Sequence, residues 1–420
     1  MLLGLAGTFP GHAAAQTPPA HEIFLPNGLG AGTGLSCLNG DSGVARASIP
    51  AFSNTGTFVA TAECPLPSGG DALDQRVRDV KITSVALNGV AWARVILPPS
   101  YFDPAAAQRT YPVLYLLTGN GAGFQSWTCN TLVQNYVRDA EVIVVMPDGS
   151  RRYNPCDPSD KINNAIPGWY ADWWQRSLDN NPERWETFHL RELKLILEAS
   201  FRSNHVYAVA GLSMGGYGAM YYATRDDPYS NPPTRMFKAA ASFSGLLNTV
   251  SSSGYTAVTG SLALAGQSTD AAWGYYPGTP GAAIFGTRWN THNPTYLMSS
   301  FVPANNQGGA ATIPVFFSVG DGFQGPLEAS YDVGAGAIEL GARYTNQDFL
   351  GTMISANGGA LPANVEYAFH PGTHNWRVWD AALCRSLPML MESLLDPQHQ
   401  SATPSFTQPA DLPCNDLFNR

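Results

Sequence analysis

Six short apolar runs, at residues 113–117, 142–146, 206–210, 239–243, 315–319 and 365–369, recur along the chain and constrain its fold more than any other feature. They lack the apolar–polar alternation of a half-solvated strand, so each reads as a strand buried on both faces. Helical patterning occupies the gaps. Residues 186–201 carry apolar side chains at Phe188, Leu190, Leu193, Ile196 and Leu197, and residues 335–349 and 376–395 are also rich in helix formers. Strand alternating with helix predicts an α/β architecture, a mainly parallel central sheet with helices on both faces and ligands at the carboxyl ends of its strands. Ahead of these runs, residues 80–87 and 91–97 flank Asn88-Gly89, a hairpin signal, so two antiparallel strands open the domain.

The rest of the chain divides by texture. Met1-Leu-Leu-Gly-Leu-Ala-Gly leads into small residues before Gln16, which reads as the end of an export signal occupying residues 1–15 without its basic segment. Residues 16–75 are rich in Gly, Ser, Thr, Pro and Ala and predict a loop-rich N-terminal extension. The catalytic domain is expected over 76–395 and a polar tail over 396–420. Long aromatic, Pro- and Gly-containing stretches at 149–185 and 250–300 read as loop insertions that shape access to a site. Charged residues make up only 13% of the chain against 44% hydrophobic, which suits a large buried core, and the net charge of −9 argues against a nucleic-acid partner. No stretch approaches the roughly 18 consecutive apolar residues of a membrane-spanning helix. The six cysteines, at 37, 64, 129, 156, 384 and 414, suggest three local disulfides in chain order, consistent with export. They contain no C-x-x-C pair of the kind that holds zinc.

The third apolar run leads into chemistry. Residues 205–220 read His-Val-Tyr-Ala-Val-Ala-Gly-Leu-Ser-Met-Gly-Gly-Tyr-Gly-Ala-Met, a strand, a G-x-S-x-G turn centred on Ser213, and the start of a small-residue helix. A serine hydroxyl attacks a carbonyl only when it is presented on a tight turn, which demands glycine at 211 and 215, and the following helix directs its N-terminal N–H groups at the forming oxyanion. In the α/β-hydrolase arrangement the base and its acid follow the serine in the order acid, then histidine. His374, in Pro371-Gly-Thr-His-Asn-Trp after the last strand run, occupies the base position, whereas His370 is still at the strand end. Two carboxylates compete for the acid. Spacing alone favours Asp321, directly after the run at 315–319, while Glu339 lies inside a helical stretch. The oxyanion donors expected are the backbone N–H of Met214 and one from the loop Thr118-Gly-Asn-Gly-Ala-Gly, with Asn120 as the choice. Trp376 and Trp379 read first as core of the closing helix, and Trp376 is the candidate for substrate contact.

Six ordered motifs, Tyr115-Leu-Leu-Thr-Gly, Val145-Met-Pro-Asp-Gly, Trp185-Glu-Thr-Phe, Gly211-Leu-Ser-Met-Gly-Gly, Asn293-Pro-Thr and Gly372-Thr-His-Asn-Trp, together resemble the antigen 85 mycolyltransferases within the esterase D-like α/β-hydrolases. The resemblance spans roughly residues 76 to 395. It implies a secreted enzyme of a mycolate-bearing cell envelope, compatible with peripheral association there, that needs no metal or cofactor. It also implies ping-pong transfer of a mycolyl group from a glycolipid ester to the serine, then to a second trehalose mycolate, to arabinogalactan or to water. In that family a glutamate precedes a T-N-Q-x-F-like stretch, and Thr345-Asn-Gln-Asp-Phe puts Glu339 at its position; the resemblance therefore shifts the acid from Asp321 to Glu339. It likewise assigns the oxyanion positions to Asn120 and Met214. The family's strand-end loop carries an aspartate and an arginine that contact trehalose, where this chain has Thr118 and Gly121. That departure leaves a carboxylesterase, acting for example on feruloyl or acetyl esters, as the alternative enzyme. A non-catalytic envelope or matrix-binding protein is the alternative outside enzymes.

Overall fold

The computed structural model describes residues 18–24, 76–151, 165–302 and 312–394. All six apolar runs are strands: β4 Tyr111–Leu117, β5 Ile143–Pro147, β8 Ser203–Leu212, β9 Phe237–Phe243, β10 Val315–Gly320 and β11 Val365–His370. The opening hairpin is β2 Val77–Ser84 and β3 Gly89–Ile96, and β1 His21–Phe24 pairs antiparallel with β2 at the sheet edge. These strands form one nine-stranded sheet in the order β1-β2-β3-β5-β4-β8-β9-β10-β11. From β5 onward every neighbouring pair is parallel. A separate two-stranded ribbon joins β6 Ser150–Arg151 to β7 Ile166–Pro167.

The sheet is covered on both sides, and the period of its strands says how. In β4, Val113, Tyr115 and Leu117 enter one apolar cluster while Leu114 and Leu116 enter another. The first cluster takes in helices α1 Lys194–Ser200, α2 Met214–Ala223, α3 Ser252–Leu264 and α4 Val333–Ala356, through residues such as Ile196, Met220, Leu262 and Phe349. The second lies against α5 Trp376–Ser393, through Trp379, Leu383, Leu387 and Leu390. Each of these side chains, fully buried, contributes about 1.5–3 kcal/mol relative to exposure, and together they define the sheet's two faces.

Three expectations need correction. Residues 21–24 are an edge strand inside what reads as a loop extension; a four-residue strand carries too few side chains to show a period. The hairpin turns over residues 85–88, with Asn88 at φ 50° and Gly89 already paired to Ser84. Glu192 organises this longer loop by accepting from the Ser84 hydroxyl at 2.6 Å and from the N–H groups of Val85 and Ala86 at 3.1 and 2.8 Å. The stretch 250–300, read as loop, contains α3 and two shorter helices, Thr269–Trp273 and Pro280–Phe285. It packs Trp273, Trp289 and His292 beside α2, where the Tyr217 hydroxyl donates to the His292 carbonyl at 2.8 Å. Cys129 and Cys384 are both disulfide-bonded, and the other four cysteines lie outside the described residues, as do the expected segments at 1–15 and 396–420.

Candidate active site

Ser213 stands between β8 and α2 at φ 54° and ψ −123°, a conformation that costs a non-glycine residue on the order of 1–3 kcal/mol. The turn is held from both sides. The Ser213 N–H donates to the Phe243 carbonyl at 2.8 Å, and the Tyr217 N–H donates back to the Ser213 carbonyl at 3.1 Å. The two glycines of the motif are required by contact. A Cβ on Gly211 would lie 2.2 Å from the Gly215 oxygen, and one on Gly215 would lie 2.4 Å from the Leu117 oxygen. Strand, turn and neighbouring strand therefore close together only without side chains at these two positions.

Above this turn lies the loop that follows β4. A Cβ on Gly119 would be 3.6 Å from Ser213 Oγ, so the backbone leading into Asn120 runs alongside the hydroxyl. Thr118 is fully buried, and its carbonyl accepts from the Tyr170 hydroxyl at 2.8 Å, which pins the loop. Met214 is the first residue of α2, so its N–H has no acceptor within the helix and points from the positive end of the helix dipole. Asn120 is exposed, next to Gly121 at φ 74°.

His374 joins the hydroxyl to a carboxylate. Its Nε2 lies 2.8 Å from Ser213 Oγ and its Nδ1 lies 2.7 Å from Glu339 Oε2. A carboxylate at Nδ1 selects the tautomer with the proton there, leaving Nε2 free to accept from the serine. Glu339 is completely buried on α4, and its other oxygen accepts from the Ser244 hydroxyl at 2.7 Å and the Gly320 N–H at 2.5 Å. Burial alone would raise its pKa, but the hydrogen bond and charge of His374, with the Ser244 and Gly320 donors, hold it below the usual carboxylate value. The side chain is thus an anion at neutral pH, beside the ring whose positive form it would stabilise. Trp379 closes the arrangement. Its ring stands edge-on to His374 with centroids 4.8 Å apart, and its Nε1–H donates to Ser244 Oγ at 3.0 Å.

Asp321, the acid favoured by spacing, is placed elsewhere: its Oδ1 accepts from the N–H groups of Phe323 at 2.9 Å and Gly372 at 3.2 Å. It holds loops rather than the imidazole. Glu339 reaches the site because Thr345 and Asn346, about two turns further along α4, tie that helix to the end of β9. The Leu247 N–H donates to Thr345 Oγ1 at 3.1 Å, and Asn346 Nδ2 donates to the Gly245 carbonyl at 2.7 Å. His370 ends β11 buried, with Nδ1 donating to the Pro371 carbonyl at 3.0 Å. Trp376 is half-buried and lies edge-on to Trp127 and Trp379, with centroids 5.5 and 5.4 Å away, as part of the second apolar cluster. Sequence reasoning misses Ser244, whose φ is 52°. Its position at the carboxyl end of β9, beside the elbow strand, is the signal that points to it.

Comparison with known proteins gives a consistent picture. The model of the Esterase family matches residues 84–390. Esterase Rv1288 of Mycobacterium tuberculosis is 34% identical over 156 residues, which cover 36% of this chain and 30% of that protein. The diacylglycerol acyltransferase/mycolyltransferase Ag85B of Mycolicibacterium smegmatis is 28% identical over 290 residues, 67% of this chain and 77% of that one. Among solved structures, Mycobacterium tuberculosis MPT51 (FbpC1) superposes with a TM-score of 0.52 at 20% identity, covering 74% of this chain and 96% of the other. At that identity the likeness speaks to the α/β-hydrolase fold alone.

Proposed function

The chain belongs to the Esterase family, and from that footing we propose that it is a serine acyl-ester enzyme working through an acyl-enzyme on Ser213. One observation carries the reading: the unbroken hydrogen-bonded line from Ser213 through His374 to Glu339, at the carboxyl ends of the parallel strands of the sheet. His374 Nε2 takes the Ser213 proton as Oγ attacks the ester carbonyl. The negative oxygen of the tetrahedral intermediate is received by the N–H groups of Met214 and Asn120, and His374 then gives the proton to the departing alcohol. Removing one such donor typically costs on the order of 10²–10³ in kcat, so the oxyanion pair is expected to matter as much as the base. In the second half, His374 takes a proton from an acceptor hydroxyl as that oxygen attacks the acyl carbonyl, then returns the proton to Ser213 Oγ as the acyl–serine bond breaks. Glu339 stays ionised throughout and steadies the imidazolium.

The acyl group we propose is a mycolyl or similar long chain, carried from a glycolipid ester to a second trehalose mycolate or to arabinogalactan. The similarity to Ag85B over two thirds of the chain supports this. The disulfide bonds at Cys129 and Cys384 support an oxidising location outside the cytosol, and with it export and work at the cell envelope. No helix among the described residues is long and apolar enough to cross a membrane. A second reading, hydrolysis of carboxylic esters, is favoured by Thr118. At the loop position where the resemblance places a sugar-binding side chain, this residue is fully buried. Incubation of the purified protein with trehalose monomycolate separates the two. Dimycolate supports transfer, free mycolic acid alone supports hydrolysis, and neither product with an active Ser213 would remove mycolyl esters from the substrate range.

A further inference from the structure

We propose that Glu328 is a positioning residue that, together with Asp321, holds the His374 loop in register with Glu339; this rests on the catalytic reading of Ser213, His374 and Glu339. The segment from Asp321 to Asp332 connects β10 to α4. Every residue of the loop 372–375 bonds to this segment or to the first turn of the helix it enters. The Gly372 N–H donates to Asp321 Oδ1 at 3.2 Å, while the Gly372 carbonyl accepts from the Gly322 N–H at 3.0 Å. The His374 N–H donates to the Ala335 carbonyl at 3.3 Å. Between these contacts stands Glu328. The Thr373 N–H donates to its two oxygens at 3.1 and 3.2 Å, and it also accepts from the Thr373 hydroxyl, the Asn375 amide and the Gly325 N–H.

Thus one carboxylate grips the residues immediately before and after the base. The consequence is geometric. His374 must meet Ser213 and Glu339 at once, at 2.8 and 2.7 Å, and a loop free to shift would lose one bond or the other. Because the same segment leads into the helix that carries Glu339, acid and base are anchored to one piece of backbone. A charged acceptor suits the task, since the groups facing it are all donors, and charge-assisted hydrogen bonds are roughly twice as strong as neutral ones. Asn375 adds to the anchorage by capping α5, its side-chain oxygen accepting from the N–H groups of Arg377 and Val378 at 2.9 and 3.3 Å.

The test is a double-mutant cycle of Glu328→Gln and Thr373→Val on the full chain. It is read by kcat and KM on a p-nitrophenyl ester, by the rate of fluorophosphonate labelling, and by thermal midpoint. Gln turns one acceptor oxygen into a donor facing donors, and Val removes only the Thr373 hydroxyl. Each variant is expected to lower kcat and labelling rate in parallel, on the order of 10–100-fold for Glu328→Gln, with KM changed by less than about two-fold. The double variant is expected to be no worse than Glu328→Gln alone, because both substitutions break the same contact. A folded Glu328→Gln with kcat near wild type, a rise in KM alone, or additive losses would overturn the proposal. If Glu328→Gln does not fold, Thr373→Val decides, and an unchanged kcat in that variant overturns it. Failure of the wild-type protein to label at Ser213 is a different result, which overturns the catalytic reading beneath.

Discussion

Replacing Glu339 by Gln separates the roles of Glu339 and Asp321, the two candidate acids of the site. The native side chain has one oxygen on His374 Nδ1 at 2.7 Å and the other facing the Ser244 hydroxyl and the Gly320 N–H at 2.7 and 2.5 Å. Gly320 presents a donor that cannot turn away, so the Gln oxygen settles there and the amide nitrogen faces the imidazole. Nδ1 must then accept, which moves the ring proton to Nε2, the atom 2.8 Å from Ser213 Oγ. A protonated Nε2 cannot take the serine proton. The equivalent wrong-tautomer substitution in a serine protease lowers kcat on the order of 10⁴-fold, equal to about 5 kcal/mol of transition-state stabilisation. We expect a loss of that order in Glu339→Gln, measured as kcat on a p-nitrophenyl ester, with KM little changed. Asp321→Asn keeps Oδ1 as acceptor for Phe323 and Gly372 and should stay within a few-fold of wild type. Equal losses in both variants, or a Glu339→Gln enzyme within about tenfold of wild type, would refute this reasoning.

Ser213→Gly removes the nucleophile together with the strain of a side chain at φ 54°, so turnover should vanish while the thermal midpoint stays level or rises; a clear fall in midpoint would contradict the strain argument. Gly211→Ala brings a Cβ to 2.2 Å from the Gly215 oxygen and should prevent a folded product, whereas Gly351→Ala, on α4 with open space around it, should raise stability by about 0.5–1 kcal/mol in urea unfolding. Burial raises the Glu186 pKa to about 7. The unfolded chain loses this proton near pH 4.5 while the folded one keeps it, so stability falls as pH rises from there to about 7 and stays reduced above. Glu186 is about a quarter exposed, and its contribution is on the order of 1–3 kcal/mol; Glu186→Gln should flatten the decline in a pH series of urea unfolding, and an unchanged slope would exclude Glu186 as its source.

The sheet was legible because strands covered on both faces must be apolar throughout, as 113–117 and 206–210 are, and few other elements share that pattern. Helix α3 was not. Its buried positions Gly254, Val258 and Leu262 sit one turn apart, but the Ser, Thr and Gly around them mask the period. At the site, Ser213 and His374 are announced by local geometry: a turn that only glycine flanks permit, and a loop after the last strand. Glu339 is not, because it reaches the imidazole from within a helix, and the nearer strand end offers Asp321 at a more conventional spacing. Only the resemblance, through Thr345 and Asn346, put Glu339 ahead of Asp321, and the structure supplies a physical reason in the bonds that tie those two residues to the end of β9. Glu328 had no signal at all. Its importance arises from a fold that brings residue 328 against 373 and 375, which no local pattern encodes.

The central claim is a covalent acyl group on Ser213. Rapid acid quenching of the protein during turnover of a p-nitrophenyl ester, followed by digestion and mass spectrometry, tests it directly. The account predicts an acyl mass added to the peptide containing Ser213 and absent from Ser213→Ala, which should also lack turnover. Turnover that persists in Ser213→Ala, or an acyl group found on another residue, would contradict it.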